Sequence, residues 1–270
     1  MIDTIKYAII SDIYIKDLIC FNPQRSDEVK AFCLENGITY VPGEDRKTCY
    51  RLENDGFVRY ELTEDLKCSP TDRLFDQKTI DKFESGSHDE VLFVMDNDCI
   101  TGVVHIIDYN NEFINVNFYH AVYLFEVMLR KLLVNNKESN QSIIEWMKDK
   151  GKSEKYWLGR YNQCVPKDEN KRINEEQKRK DFGDFQTFYL NDLIHFVASK
   201  GLVSEDFTNN LNAIVQIRNW VAHNKDLTHR SSELSRPLYL IKELKDFVRH
   251  TKAFIQFYEE LELKLAKSQI

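Results

Sequence analysis

From residue 114 onward the apolar residues of this chain recur at helical spacing, as Ile114, Phe118, Ala121, Val122, Phe125, Leu129, Leu132 and Leu133. Such a pattern buries one stripe of a long amphipathic helix. It starts directly after Asp108 with no Gly, Pro or Ser-rich linker, so a strand-bearing first half should pass stiffly into a helical second half. Further helices are expected around Ile143 to Trp146, Phe185 to Ser199 and Leu238 to Leu265, enough to complete an antiparallel bundle. At 270 residues the chain suits two domains, placed here at 1–112 (α/β) and 113–270 (all-α), an α+β protein overall. Charge divides the same way: residues 1–112 hold 12 Lys and Arg against 23 Asp and Glu, a net of −11, and residues 113–270 hold 25 against 21, a net of +4.

The first half carries a weak internal repeat. Ser26-Asp27-Glu28 opens an amphipathic helix through Val29, Phe32 and Leu34, and Gly37 leads into Ile38 to Pro42 and then Cys49 to Leu52. About fifty residues later Ser69-Pro70-Thr71-Asp72 opens a helix through Leu74 and Ile80, followed by Val91 to Met95, the turn Asp96-Asn97-Asp98, and Cys99 to Val104. Two apolar strands around an acidic turn read as a hairpin whose second strand feeds a helix at Ile107-Asp108.

Over about residues 8–112 this order resembles a tandem pair of CBS domains, the Bateman module. The second copy carries most of the resemblance, through Phe93-Val94-Met95-Asp96 and Gly102-Val103-Val104-His105-Ile106-Ile107-Asp108. In ligand-binding members an Asp at the position of Asp108 holds a ribose diol, and a Thr or Ser at the position of His105 contacts phosphate. The resemblance therefore implies an adenine nucleotide (AMP, ADP or ATP) as a regulatory ligand near Gly102, His105 and Asp108. The first copy lacks a comparable Gly and Asp after Leu52, so at most one such site is implied. A helix cap is the alternative role of Asp108.

In the second half, Ser204 offers an N-cap and Glu205 and Asp206 a negative first turn to a helix with apolar residues at Phe207, Leu211, Ile214, Val215, Val221 and Ala222. Seven residues past Leu211 stands Arg218, on the apolar stripe, where an unpaired guanidinium is too costly to keep. Asn219 and His223 share a neighbouring face, whereas Arg218 and His223 are five apart, about 140° round an ideal helix. They converge only if the arginine bends back, the helix ends near Ala222, or a second subunit completes the site. Glu126 lies beside the stripe of the first long helix and is the expected partner of Arg218.

Arg-x4-His with Asn directly after the Arg, in an all-helical context, resembles the signature of the HEPN superfamily over roughly residues 115–265. Many members are metal-independent endoribonucleases of toxin and defence systems in which two copies of the motif meet across a dimer. The resemblance implies Arg218, Asn219, His223 and Glu126 as catalytic residues, RNA as substrate, a homodimer, and an antitoxin or regulatory partner. The chemistry suits these side chains. Cleaving RNA through its own 2′-hydroxyl needs a proton acceptor, a proton donor and positive charge near the phosphate, all available from histidine and arginine. The competing reading makes Arg218 a structural ion pair and His223 a surface histidine closing a helix.

Other classes find little support. The six cysteines include no Cys-x2-Cys pair, which points to reduced, buried thiols and not to zinc or a disulfide scaffold. No Gly-rich phosphate loop or metal-ligand spacing appears. The run Lys178-Arg179-Lys180 is interleaved with acids and reads as a solvated helix, and Trp146 and Trp157 read as core. No apolar span or basic leader is evident, so a cytoplasmic location is expected. The expectation is a two-domain, nucleotide-regulated endoribonuclease of a defence, toxin or stress system. The alternative is a noncatalytic ligand-binding or scaffold protein.

Overall fold

A two-residue hairpin turn of type I′ needs left-handed backbone at both positions, and Asn and Asp tolerate it best after glycine. Asn97 and Asp98 adopt φ of 48° and 61°. They join β5 (Val91–Asp96) to β6 (Cys99–His105) in antiparallel register, Asp96 opposite Cys99 and Val91 opposite His105, with a bulge between Val94 and Met95. Along β6 the buried residues are Ile100, Gly102 and Val104, the alternation of a strand with one face on a core.

A computed structural model describes residues 2–84, 91–223, 228–229, 238–239 and 241–268. In chain order the helices are α1 (Ile2–Lys6), α2 (Ser26–Asn36), α3 (Gln77–Glu84), α4 (Glu112–Asn135), α5 (Asn140–Lys150), α6 (Lys155–Cys164), α7 (Glu169–Phe182), α8 (Leu190–Ser199), α9 (Glu205–Asn209), α10 (Leu211–His223) and α11 (Ile241–Lys267). The other strands are β1 (Tyr40–Pro42), β2 (Cys49–Glu53), β3 (Gly56–Tyr60), β4 (Lys67–Cys68), β7 (Thr228–His229) and β8 (Leu238–Tyr239). The protein is thus mixed α+β. Among the described residues no helix is long and apolar enough to cross a membrane.

The chain divides into two compact units, one of Met1–Phe118 with Trp220–Lys252 and the other of Tyr119–Asn219 with Ala253–Ile270. The division differs from a single boundary at 112, because α4, α10 and α11 each contribute residues to both units.

The first unit holds an antiparallel sheet β1-β2-β3 and a mixed sheet β4-β5-β6, β4 lying parallel to β5. Cys49, Leu66, Phe93 and Ile100 form one buried cluster. Val29, Cys33 and Val41 form another with Phe21, Tyr50 and Phe57. The expected repeat is visible as α2-β1-β2 and α3-β5-β6, with two corrections. In α2 the buried face is Val29 and Cys33, while Phe32 and Leu34 are exposed. The helix expected to open at Ser69 begins only at Gln77. The residues before it instead bond to the N-terminal segment, Asp72 and Pro70 accepting from Ile10 and Ser11 and Leu74 donating to Ala8. Beyond the second sheet, Phe75 is in edge contact with Tyr109, Phe118 and Phe247, and Trp220 packs edge-on against Phe247 at 4.3 Å.

The second unit is helical. The stripe read from α4 is buried throughout, Ile114 and Phe118 in the first unit and Ala121 to Leu133 in this one. Within this unit Phe125 stacks on Phe207 and packs against Phe254, and Phe207 meets Phe257. Trp157 is buried and in edge contact with Trp146 at 4.6 Å. α7, which carries Lys178 to Lys180, buries no residue.

Candidate functional site

The helix expected as one piece from Glu205 to Ala222 is two. Ser204 caps α9, its Oγ accepting from the Phe207 amide at 3.2 Å, but the chain leaves helical geometry at Asn210 and α10 starts afresh at Leu211. The break resets the phase. Ala213, Ile214 and Ile217 are the buried residues of α10, while Leu211 and Val215 are half-buried and Ala222 is exposed. Arg218 therefore flanks the buried stripe and does not stand within it. Its guanidinium is partly buried and lies 3.4 Å from the Asn219 side-chain oxygen. His223 ends α10, and its side chain lies outside the described residues.

Glu126 has a different partner from the one expected. Its carboxylate pairs with Arg130 one turn along α4 at 2.9 Å, and Arg130 also donates from Nε to the Phe185 carbonyl at 3.3 Å. An i, i+4 acid-base pair on one helix is the shorter reach for both side chains. Among the described residues no carboxylate is paired with Arg218.

At the other candidate site, His105 caps the 3-10 turn Ile106–Asn110, its Nδ1 accepting from the Ile107 amide at 3.1 Å. Asp108 Oδ2 accepts from the His105 amide at 2.7 Å, closing a reciprocal capping box. Burial pushes the Asp108 carboxyl up to about 6, against the lowering effect of that amide. The space over Gly102 is filled by protein. A Cβ there would stand 2.1 Å from the Tyr14 ring and 2.6 Å from the Ile15 carbonyl, because Ile15 and Val103 exchange backbone hydrogen bonds. Gly102 is thus explained by close approach of the chain's own N-terminal segment.

All six cysteines are free thiols, and Cys33, Cys49, Cys68 and Cys164 are buried. Burial pushes the Cys49 and Cys68 thiols up to about 12, which makes them inert as nucleophiles.

The sequence reading missed the most deeply buried ion pair of the second unit. Arg160 on α6 and Asp192 on α8 join through two hydrogen bonds, Nε to Oδ1 at 3.0 Å and a second nitrogen to Oδ2 at 2.5 Å. Their side chains are 8% and 0% exposed. Tyr189 lies 4.0 Å under the guanidinium carbon, and its amide donates to Asp192 at 3.0 Å. A signal existed: Arg160 falls on the stripe Trp157, Arg160, Cys164, all buried on α6. Phe185, expected to open the helix that runs to Ser199, lies outside it, because α8 begins only at Leu190. It holds a left-handed φ of 61° while fully buried, with its amide bonded to Asn140 and its carbonyl to Arg130.

No protein-family model, curated protein or solved structure matches this chain.

Proposed function

We propose that this protein is a metal-independent endoribonuclease of the HEPN type, acting in a defence, toxin or stress system. The observation that carries the reading is the state of Arg218. Among the described residues its partly buried guanidinium bonds to its neighbour Asn219, and the expected carboxylate, Glu126, is committed to Arg130. A guanidinium placed so keeps donors for a phosphate, whose charge would pair with it. His223 then supplies acid/base chemistry near neutrality and Asn219 orients Arg218 or the substrate. Glu126 acts through Arg130 and the Phe185 loop and not on Arg218 directly. RNA is the substrate, and a homodimer held in check by an antitoxin-like partner is the assembly that the family resemblance suggests.

The CBS-like half is proposed to bind an adenine nucleotide. With Oδ2 committed to the His105 amide, Asp108 would hold a ribose hydroxyl through Oδ1. Calorimetry with AMP, ADP and ATP at millimolar concentration tests this part, and absence of heat removes it without touching the nuclease.

The nuclease itself is tested with purified protein on mixed RNA in excess chelator. Cleavage is expected, with Arg218→Ala and His223→Ala each lowering turnover by about two to four orders of magnitude while the melting temperature holds. Wild-type rates in His223→Ala would sink the mechanism and favour a noncatalytic scaffold.

A further inference from the structure

One helix of this chain is apolar on two faces. The stripe of α4 expected from the sequence is buried, yet Val116, Tyr123 and Val134 on the opposite side are 57%, 58% and 47% exposed, and Val127 between them is half-buried. At about 100° per residue these four fall within an arc of about 40°, a second stripe along one uninterrupted helix. Tyr119 and Arg130 flank it on one side, His120 and Lys131 on the other. A helix apolar all round is normally covered, and an exposed apolar stripe of this length marks an interaction surface. The spacing says what covers it. The four residues stand seven, four and seven apart, the same read from either end. Two copies of α4 laid antiparallel about a point midway between Tyr123 and Val127 therefore bring Val116 level with Val134 and Tyr123 level with Val127, twice over. Self-complementarity of this kind is what a two-fold interface requires.

We propose that this face of α4 is a dimer interface, covered by the same face of a second copy of the chain in antiparallel register. The inference locates the homodimer of the endoribonuclease reading but rests on α4 alone. Charge selects the direction. In an antiparallel pair Tyr119 of one copy comes level with Arg130 of the other, a cation beside an aromatic ring, and the two helix dipoles oppose. A parallel pair would set Arg130 level with Arg130 and Lys131 level with Lys131, and would align the dipoles. The stripe itself consists of three valines and a tyrosine, which offer no charge to the phosphates of RNA.

Analytical ultracentrifugation of the full-length protein tests this by mass and not by activity, so a chain that dimerises without cleaving RNA is told apart from one that cleaves without dimerising. The wild type should sediment as a two-chain species that dissociates on dilution. Tyr123→Glu places a charge at the centre of the face, where it would meet an apolar partner and lie close to its own copy. It should raise the dissociation constant about a hundredfold or more, with unchanged circular dichroism because the residue is exposed in the single chain. Adding Val127→Lys to Tyr123→Glu sets opposite charges level across an antiparallel pair and should bring the dimer back. A wild type that stays monomeric up to about 100 μM overturns the proposal. So does a Tyr123→Glu dimer whose dissociation constant lies within about threefold of the wild type, since the interface is then elsewhere. A double variant that remains as monomeric as Tyr123→Glu overturns the antiparallel pairing.

Discussion

A carboxyl raised to about 6 binds protons more tightly in the folded chain than in the unfolded one, and Asp108 is such a group. Its contribution is fully present below the ordinary carboxylate range and is lost as pH rises through about 6, so at neutral pH the buried charge works against folding. Asp108→Asn keeps an acceptor for the His105 amide and removes the charge. It should stabilise the protein at pH 8 by on the order of 1–2 kcal/mol, allowing for partial exposure, and the gain should shrink towards zero at pH 4. Urea unfolding of both proteins at pH 4, 6 and 8 decides this; a difference that does not vary with pH rules it out. The opposite case is Arg160 with Asp192, where both charges are buried but mutually satisfied. Asp192→Ala should cost about 3–5 kcal/mol because it strands a buried guanidinium and an unpaired Tyr189 amide. Replacing both residues with apolar ones of similar volume should recover much of that loss, and a double-mutant cycle measures the coupling.

At the scale of elements, turn chemistry explains both what could be read in advance and what could not. The β5–β6 hairpin was legible because Asn97-Asp98 stands between two short apolar runs, and both conditions are local. Asp98 sits at φ of 61°, where glycine pays no steric penalty. Asp98→Gly should therefore stabilise the hairpin by about 0.5–1 kcal/mol in thermal unfolding, and a loss of stability would mean that the Asp98 side chain does more than tolerate the turn. β3 was overlooked although Asn54-Asp55-Gly56 is the same kind of signal, because Phe57 to Tyr60 shows no clean alternation. The break at Asn210 was illegible for a different reason. Asn is a weak helix breaker, and the apolar positions either side of it fit one continuous period until the burial of Ala213 and Ile217 shows the phase shift. That shift moved Arg218 off the core stripe. The pairing of Glu126 with Arg130 in place of Arg218 lay in the sequence as an i, i+4 pair, whereas Arg160 with Asp192 joins residues 32 apart and required the fold.

At the scale of the whole molecule, the decisive fact is that the chain enters the first unit twice. Its N-terminal segment supplies both three-stranded sheets, but the aromatic cluster beyond them draws Phe118 from α4, Trp220 from α10 and Phe247 from α11. Phe75 and Tyr109 are nearly or fully buried against this cluster, and a fragment ending at 112 would expose them. Losing several aromatic partners at once forfeits several kcal/mol, comparable with the whole stability of a small domain. Residues 1–112 expressed alone should therefore give no cooperative thermal transition and rapid proteolysis, while the intact chain melts cooperatively. A fragment that folded well by itself would show that the C-terminal residues only decorate the unit. If the fragment fails as expected, a nucleotide bound near Asp108 and a substitution in α11 such as Phe247→Ala would act on the same folding equilibrium. Adding such a nucleotide should then raise the activity of the destabilised variant by a larger factor than that of the wild type, because a greater fraction of the variant is unfolded and available to be drawn back by binding.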